Sequence, residues 1–187
     1  MDSSRANSKK SKKVALIVAF KDFRDEEVFI PRSIFLREGF EVKVVSEKKG
    51  KALGVFGGVL DVDATLDEFQ LRDFDAVVFC GGQGAAGYIS NPLCHKICQD
   101  AVSQGKLLGA ICIAPAILAK SGVLKSKKAT VWHSDFDKSA VKILKDGGAL
   151  FVAGQDVVVD GKIVTANGPG AARRFAQEIS NLLLSEK

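Results

Sequence analysis

The stretch Leu107-Leu108-Gly109-Ala110-Ile111-Cys112-Ile113-Ala114-Pro115-Ala116-Ile117-Leu118 joins two kinds of apolar run at a single cysteine. The residues before Cys112 read as a buried strand and those after it as a helix. Ala110 and Ala114 stand two positions before and two after it. This is the layout of a nucleophile elbow. The strand-to-helix turn is so sharp that its neighbours must be small, and the central side chain is pushed outward. A cysteine there also sits at a helix N-terminus, where free N–H groups and the helix dipole favour a thiolate.

Outward from the elbow, strand-like and helix-like runs alternate. Upstream, 14–20, 41–46 and 75–80 read as strands, and 25–38 and 92–104 as helices stopped by Gly39 and Gly105. Residues 48–63, with their glycines and short apolar pairs, suggest a hairpin excursion. Downstream, the elbow helix runs to Lys120 with Gly122 as its stop. Residues 128–132 are strand-like and 137–145 helical. Segments 157–159 and 163–165 pair across Asp160-Gly161, and 170–184 forms a last helix. The alternation predicts an α/β doubly wound, mostly parallel sheet with helices on both faces and a site at the carboxyl ends of the strands. One domain is expected over 14–187.

The 187 residues, 47% apolar and 26% charged, have ordinary globular composition. The net charge of +5 belongs mostly to one end, because residues 1–13 alone carry +4. Their Ser/Asn/Lys composition predicts a disordered basic tail that aids solubility rather than nucleic-acid binding. No run approaches the ~20 apolar residues that span a bilayer. Residues 14–20 pass straight into Lys21-Asp22-Phe23-Arg24 with no cleavage site, so they read as a first strand rather than a signal peptide. Cys80, Cys94, Cys98 and Cys112 make no secreted disulfide framework, and Cys94 and Cys98 with His95 lack zinc spacing. Free thiols in the cytoplasm are expected.

Gly82-Gln83-Gly84-Ala85-Ala86-Gly87 is a literal G-x-G-x-x-G. A dinucleotide site would place it after the first strand and want an acid at the end of the following strand, where Cys112 stands. Gly81 and Gly82 serve better as unhindered N–H donors for an oxyanion or other anion beside the elbow. In Arg24-Asp25-Glu26-Glu27, a helix N-terminus accounts for Asp25 and Glu26 as acids worth ~0.3–1 kcal/mol. Glu27, if it faces the strand ends, would have its pKa raised by burial and like charge and could exchange a proton with Cys112. His133 reads either as an imidazole partner for Cys112 or as an exposed loop histidine. Cys80 reads as a small buried residue, with a redox contact to Cys112 as its second reading.

Taken in order, these pieces resemble the DJ-1/PfpI family of the class I glutamine-amidotransferase-like superfamily. The resemblance covers 13–185. It is carried by Glu27-Val28-Phe29-Ile30-Pro31, Asp75-Ala76-Val77-Val78-Phe79-Cys80-Gly81-Gly82, Ala110-Ile111-Cys112-Ile113-Ala114-Pro115 and Thr165-Ala166-Asn167-Gly168-Pro169-Gly170. It implies a flavodoxin-like sandwich, a homodimer or higher homo-oligomer, Cys112 as nucleophile and Glu27 as the carboxyl bonded to it. The backbone N–H groups of Gly81, Gly82 and Ile113 would hold an oxyanion. The chain also departs from the pattern. Peptidase-like members carry a histidine where Ile113 stands. Other members end the next strand in a histidine, where this chain has Trp132 with His133 one position later. Cys80 replaces a proline.

For function, the resemblance implies a small cytoplasmic cysteine enzyme acting on reactive carbonyls or their adducts, glyoxalase- or deglycase-like and protective against carbonyl or oxidative stress. Its partner would be a small aldehyde or glycated group, with no cofactor, metal, membrane or nucleic acid. A redox sensor or chaperone using the same cysteine is the second expectation. An intracellular cysteine peptidase, which needs an imidazole at Cys112, is the third.

Overall fold

The computed structural model describes residues 11–185. In chain order the elements are β1 (Lys13–Ile17), β2 (Lys21–Phe23), α1 (Asp25–Arg37), β3 (Glu41–Ser46), β4 (Lys51–Gly54), β5 (Val59–Asp61), β6 (Ala64–Thr65), β7 (Ala76–Phe79), α2 (Pro92–Ser103), β8 (Leu107–Ile111), α3 (Pro115–Lys120), β9 (Lys128–Ala129), α4 (Ser139–Asp146), β10 (Leu150–Phe151), β11 (Val157–Asp160), β12 (Ile163–Ala166) and α5 (Ala172–Ser185). The main sheet has the order β11-β12-β8-β7-β1-β3-β6. All its pairings are parallel except β11 with β12, the hairpin edge. This is the expected doubly wound α/β architecture.

Strand periodicity builds two cores. Successive side chains point to opposite faces, so on β1 Val14 and Leu16 face one core while Ala15 and Ile17 face the other. On β7, Ala76 and Val78 divide from Val77 and Phe79 in the same way. Helices α1 and α5 cover the first core through Val28, Phe35, Phe175 and Ile179. Helices α2, α3 and α4 cover the second through Ile97, Ile117 and Leu144. Strands buried on both faces explain why these runs are continuously apolar rather than alternating.

Several boundaries moved for physical reasons. The first strand ends at Ile17, and Lys21–Phe23 is a separate strand parallel to β4. Strands β4 and β5 pair antiparallel, so the expected excursion over 48–63 becomes a three-stranded sheet with β2. Of 128–132 only Lys128–Ala129 is a strand, paired with β10 outside the main sheet. Beyond it the Thr130 N–H donates to Thr165 Oγ1 at 3.0 Å instead of joining a ladder. The expected tail, 1–13, lies outside the described residues up to residue 10. Lys13 already opens β1, its N–H donating to Asp75 Oδ2 at 2.8 Å. No described helix is long and apolar enough to cross a membrane.

Phe175 is fully buried between α5 and the sheet, whereas Phe136 is fully exposed. Urea denaturation should show Phe175→Ala losing about 3–5 kcal/mol of stability. Phe136→Ala should shift it by no more than about 0.5 kcal/mol.

Candidate active site

Parallel pairing brings the carboxyl ends of β1, β7 and β8 to one edge of the sheet, where α1 begins. At that edge Cys112 leaves β8 with φ +63°. A side chain in this left-handed region costs on the order of 1–3 kcal/mol, and its surroundings must hold it there. The Cys112 N–H donates to Ala166 O at 2.9 Å, and the Trp132 N–H donates to Cys112 O at 2.8 Å. Ala110 and Ala114 are fully buried on either side, so larger groups have no room. Cys112 itself remains partly exposed.

Glu27 lies in the first turn of α1 and is fully buried. Four residues on, Pro31 lacks the N–H that would bond the Glu27 carbonyl, so the helix ladder is interrupted at this position. Gly81 lets the carboxyl and the cysteine approach. A Cβ on it would collide with Glu27 Oε2, with Cys112 Cβ at 2.5 Å and with Ile111 O at 2.8 Å. Gly82, at φ +108°, has its own constraint, since a Cβ there would meet Asp22 O at 2.5 Å and the Arg24 N. The Arg24 N–H donates to Gly81 O at 3.1 Å and ties the start of α1 to this turn.

Neither Glu27 oxygen has a hydrogen-bond partner of good geometry among the described residues. Burial pushes the carboxyl up to about 7, against the lowering effects of the Cys112 thiol, the Arg24 charge and the Gly81 N–H. Burial also pushes the Cys112 thiol up to about 12, ionised Glu27 adds to this, and the N–H groups of Gly82 and Ile113 pull it down. The sequence suggested a thiolate favoured by a helix end. The helix contributes less because α3 starts only at Pro115, which has no N–H to offer, and has six residues. Protonation of Glu27 removes its repulsion on sulfur, so the two groups titrate as a unit.

An open cavity of ≈ 610 Å³ lies over this pair, with Gly82, Gln83 and Ile113 beside it and Arg24, Val55, Trp132 and Pro169 as walls. Sequence reasoning missed Arg24 and Val55, and left Asp25 and Glu26 as mere helix-start acids. Asp25 accepts from the Phe56 N–H at 2.8 Å and the Gly58 N–H at 2.7 Å, clamping the β4–β5 turn against the site. Glu26 accepts from Arg24 Nε at 2.9 Å and Nη2 at 3.2 Å. The run of four charges at 24–27 was the available signal; Val55 had none, because it arrives from a distant hairpin.

His133 does not line the cavity, and Trp132 does. The His133 Nδ1 pairs with Val131 O at 3.0 Å, and its ring packs edge-on against Phe151 at 5.4 Å. The structure thus does not bring the His133 imidazole into the cavity beside Cys112. Consecutive residues of an extended segment point opposite ways, and here it is the indole that faces the site. Cys80 is buried, and burial drives its thiol far above the usual range. Of the G-x-G-x-x-G glycines, Gly84 and Gly87 fall within one 3-10 helix, Gln83–Tyr88, and Gly82 stands just before it.

The arrangement defines a class: a mostly parallel α/β sandwich with a cysteine elbow and a buried carboxyl beside it. The chain belongs to the DJ-1/PfpI family, whose pattern matches residues 12–182. It is 38% identical over 171 residues to the uncharacterized protein MJ0967 of Methanocaldococcus jannaschii, covering 91% of this chain and 82% of that one. It is 34% identical to the deglycase TK1284 of Thermococcus kodakarensis, covering 90% and 98%. It is 24% identical to the glutathione-independent glyoxalase DJR-1.2 of Caenorhabditis elegans, covering 92% and 89%. Among solved structures, a ThiJ/PfpI domain protein of Brachyspira murdochii superposes with a TM-score of 0.89 at 29% identity, covering 96% of this chain and all of that one.

The raised Glu27 pKa carries a stability signature. The folded state holds this proton more tightly than the unfolded state. The contribution is full below the ordinary value of 4.5 and is lost as pH rises through about 7. Thermal melts should show Glu27→Gln gaining on wild type between those pH values, by on the order of 3 kcal/mol in total. A pH-independent difference would contradict the buried carboxyl as its source.

Proposed function

We propose that this protein is a cysteine-dependent enzyme acting on reactive carbonyls or their adducts, with conversion of a 2-oxoaldehyde to a 2-hydroxy acid as the simplest reaction. The observation that carries the reading is the approach of Cys112 and the buried Glu27 carboxyl across Gly81 at the floor of an open cavity. The deglycase and glyoxalase names of its relatives support it.

Around neutral pH the pair holds one exchangeable proton. Glu27, with its pKa near 7, takes the thiol proton as sulfur adds to the aldehyde carbon. The hemithioacetal oxygen lies toward the N–H groups of Gly81, Gly82 and Ile113. Glu27 hands the thiol proton to the hemithioacetal oxygen and, free again, carries the proton of the former aldehyde carbon to the neighbouring carbon, while the hydroxyl proton passes to the former ketone oxygen. This leaves a thioester of the 2-hydroxy acid, which water hydrolyses. One carbon is oxidised as its neighbour is reduced, so no external electron carrier enters. Addition to the carbonyl-derived carbon of a glycated amine or thiol uses the same groups.

The peptidase alternative lacks an imidazole among the described cavity residues. A redox sensor would use the same Cys112 and would be distinguished by oxidation without turnover. The expected homo-oligomer is supported by Leu53, Phe56 and Val59, exposed apolar residues on or beside the β4–β5 hairpin. The four free cysteines accord with a cytoplasmic, reducing setting.

Purified protein should consume methylglyoxal, and Cys112→Ala should abolish this. Activity surviving in the alanine variant would refute the assignment. Glu27→Gln should lower kcat by about 10²-fold or more, and His133→Ala should leave it near wild type. Because Glu27 acts as base, kcat/KM should rise with pH through about 7 in the wild type and lose that limb in Glu27→Gln.

A further inference from the structure

Four successive side chains at the head of α1 have separate tasks. Glu27 goes inward to Cys112, Asp25 clamps the hairpin, Glu26 holds Arg24, and Arg24 walls the cavity. Among the described residues, Arg24 is the only cation lining that cavity. Its placement is fixed from two sides. Glu26 grips the Nε and Nη2 edge of the guanidinium, and Cζ lies 4.6 Å over the Phe56 ring. Phe56 is in turn held by its N–H on Asp25 at 2.8 Å.

This grip leaves the Nη1 side of the fork without an acceptor among the described residues. Glu26 does not line the cavity, so the ion pair turns its cation toward the site and its anion away. A guanidinium oriented in this manner is suited to a carboxylate, which it binds in a plane through two N–H groups. The remaining walls near it, Val55 and Trp132, are apolar and suit a short hydrocarbon spacer.

We infer that Arg24 selects the substrate: the preferred carbonyl compound is an aldehyde that carries a carboxylate, with the aldehyde at Cys112 and the carboxylate on the free side of the Arg24 guanidinium. The inference rests on the proposed carbonyl chemistry and adds the substrate class to it. A suitable probe is 4,5-dioxopentanoate, a 2-oxoaldehyde with a carboxylate two methylenes from its ketone. Sulfur adds at the aldehyde carbon, the proton moves to the ketone carbon, and water releases 2-hydroxyglutarate.

Two ratios test the inference. The first is kcat/KM for 4,5-dioxopentanoate over that for methylglyoxal. The second needs no turnover. It is the alkylation rate of Cys112 by anionic iodoacetate over that by neutral iodoacetamide, read by mass spectrometry of the Cys112 peptide. In each alkylation sulfur displaces iodide and the thiol proton goes to solvent. The expected result is a wild-type catalytic ratio of about ten or more, falling with added salt, since a charged hydrogen bond is worth that much. Arg24→Gln should lower both ratios by about tenfold, and Arg24→Lys should restore part of the loss by keeping the charge without the fork. Both ratios staying near wild type in Arg24→Gln, or no preference for the anion in the wild type, would overturn the inference. If neither aldehyde is turned over but the alkylation ratio falls in Arg24→Gln, the carbonyl reaction fails while anion selection by Arg24 stands.

Discussion

The site depends on one missing Cβ. At Gly81 the end of β7 passes so close to Cys112 and Glu27 that any side chain would displace one of them. The contact places a thiol beside a fully buried carboxyl that has no hydrogen-bond partner of good geometry among the described residues. Burial then acts on both in the same direction, holding each proton more tightly than water would. Neither group is unusual by itself. Their proximity under desolvation couples them into a pair able to move a proton at the reacting sulfur.

The rest of the fold maintains that proximity. Parallel strands deliver Cys80-Gly81 and Ile111-Cys112 to the same edge because β7 and β8 are neighbours in register. The positive φ of Cys112 is stabilised from both sides by backbone hydrogen bonds to Ala166 and Trp132. Helix α1 is tied to the same turn through Arg24 and Gly81, and the β4–β5 hairpin is tied to α1 through Asp25. A small network of polar contacts thus joins four distant parts of the chain around one cavity.

Much of this was legible in the sequence, for identifiable reasons. Strands buried on both faces leave apolar runs, helices leave glycine stops, and an elbow leaves alanines on both sides of its cysteine. Glu27 was singled out by the family resemblance, beside its place in a charged run after the first strand, and Gly81-Gly82 by their place after a strand. The segment 128–132 misled because its β-branched residues look like a sheet strand. Tertiary contacts took it elsewhere, with the Thr130 N–H going to a side chain of β12. His133 misled with it, since a shift of one residue in an extended segment reverses the side chain.

The sequence by itself determined the alternation that builds the sandwich and the turn at Cys112. These follow from local spacing, which chain geometry converts directly into periodicity and turns. The tertiary structure alone decided that Trp132 rather than His133 faces the cavity, that Asp25 holds a hairpin some thirty residues away, and that Arg24 turns its guanidinium toward the site. Each of those depends on the packing of segments far apart in the chain, and no local pattern records which of two faces such a segment will present.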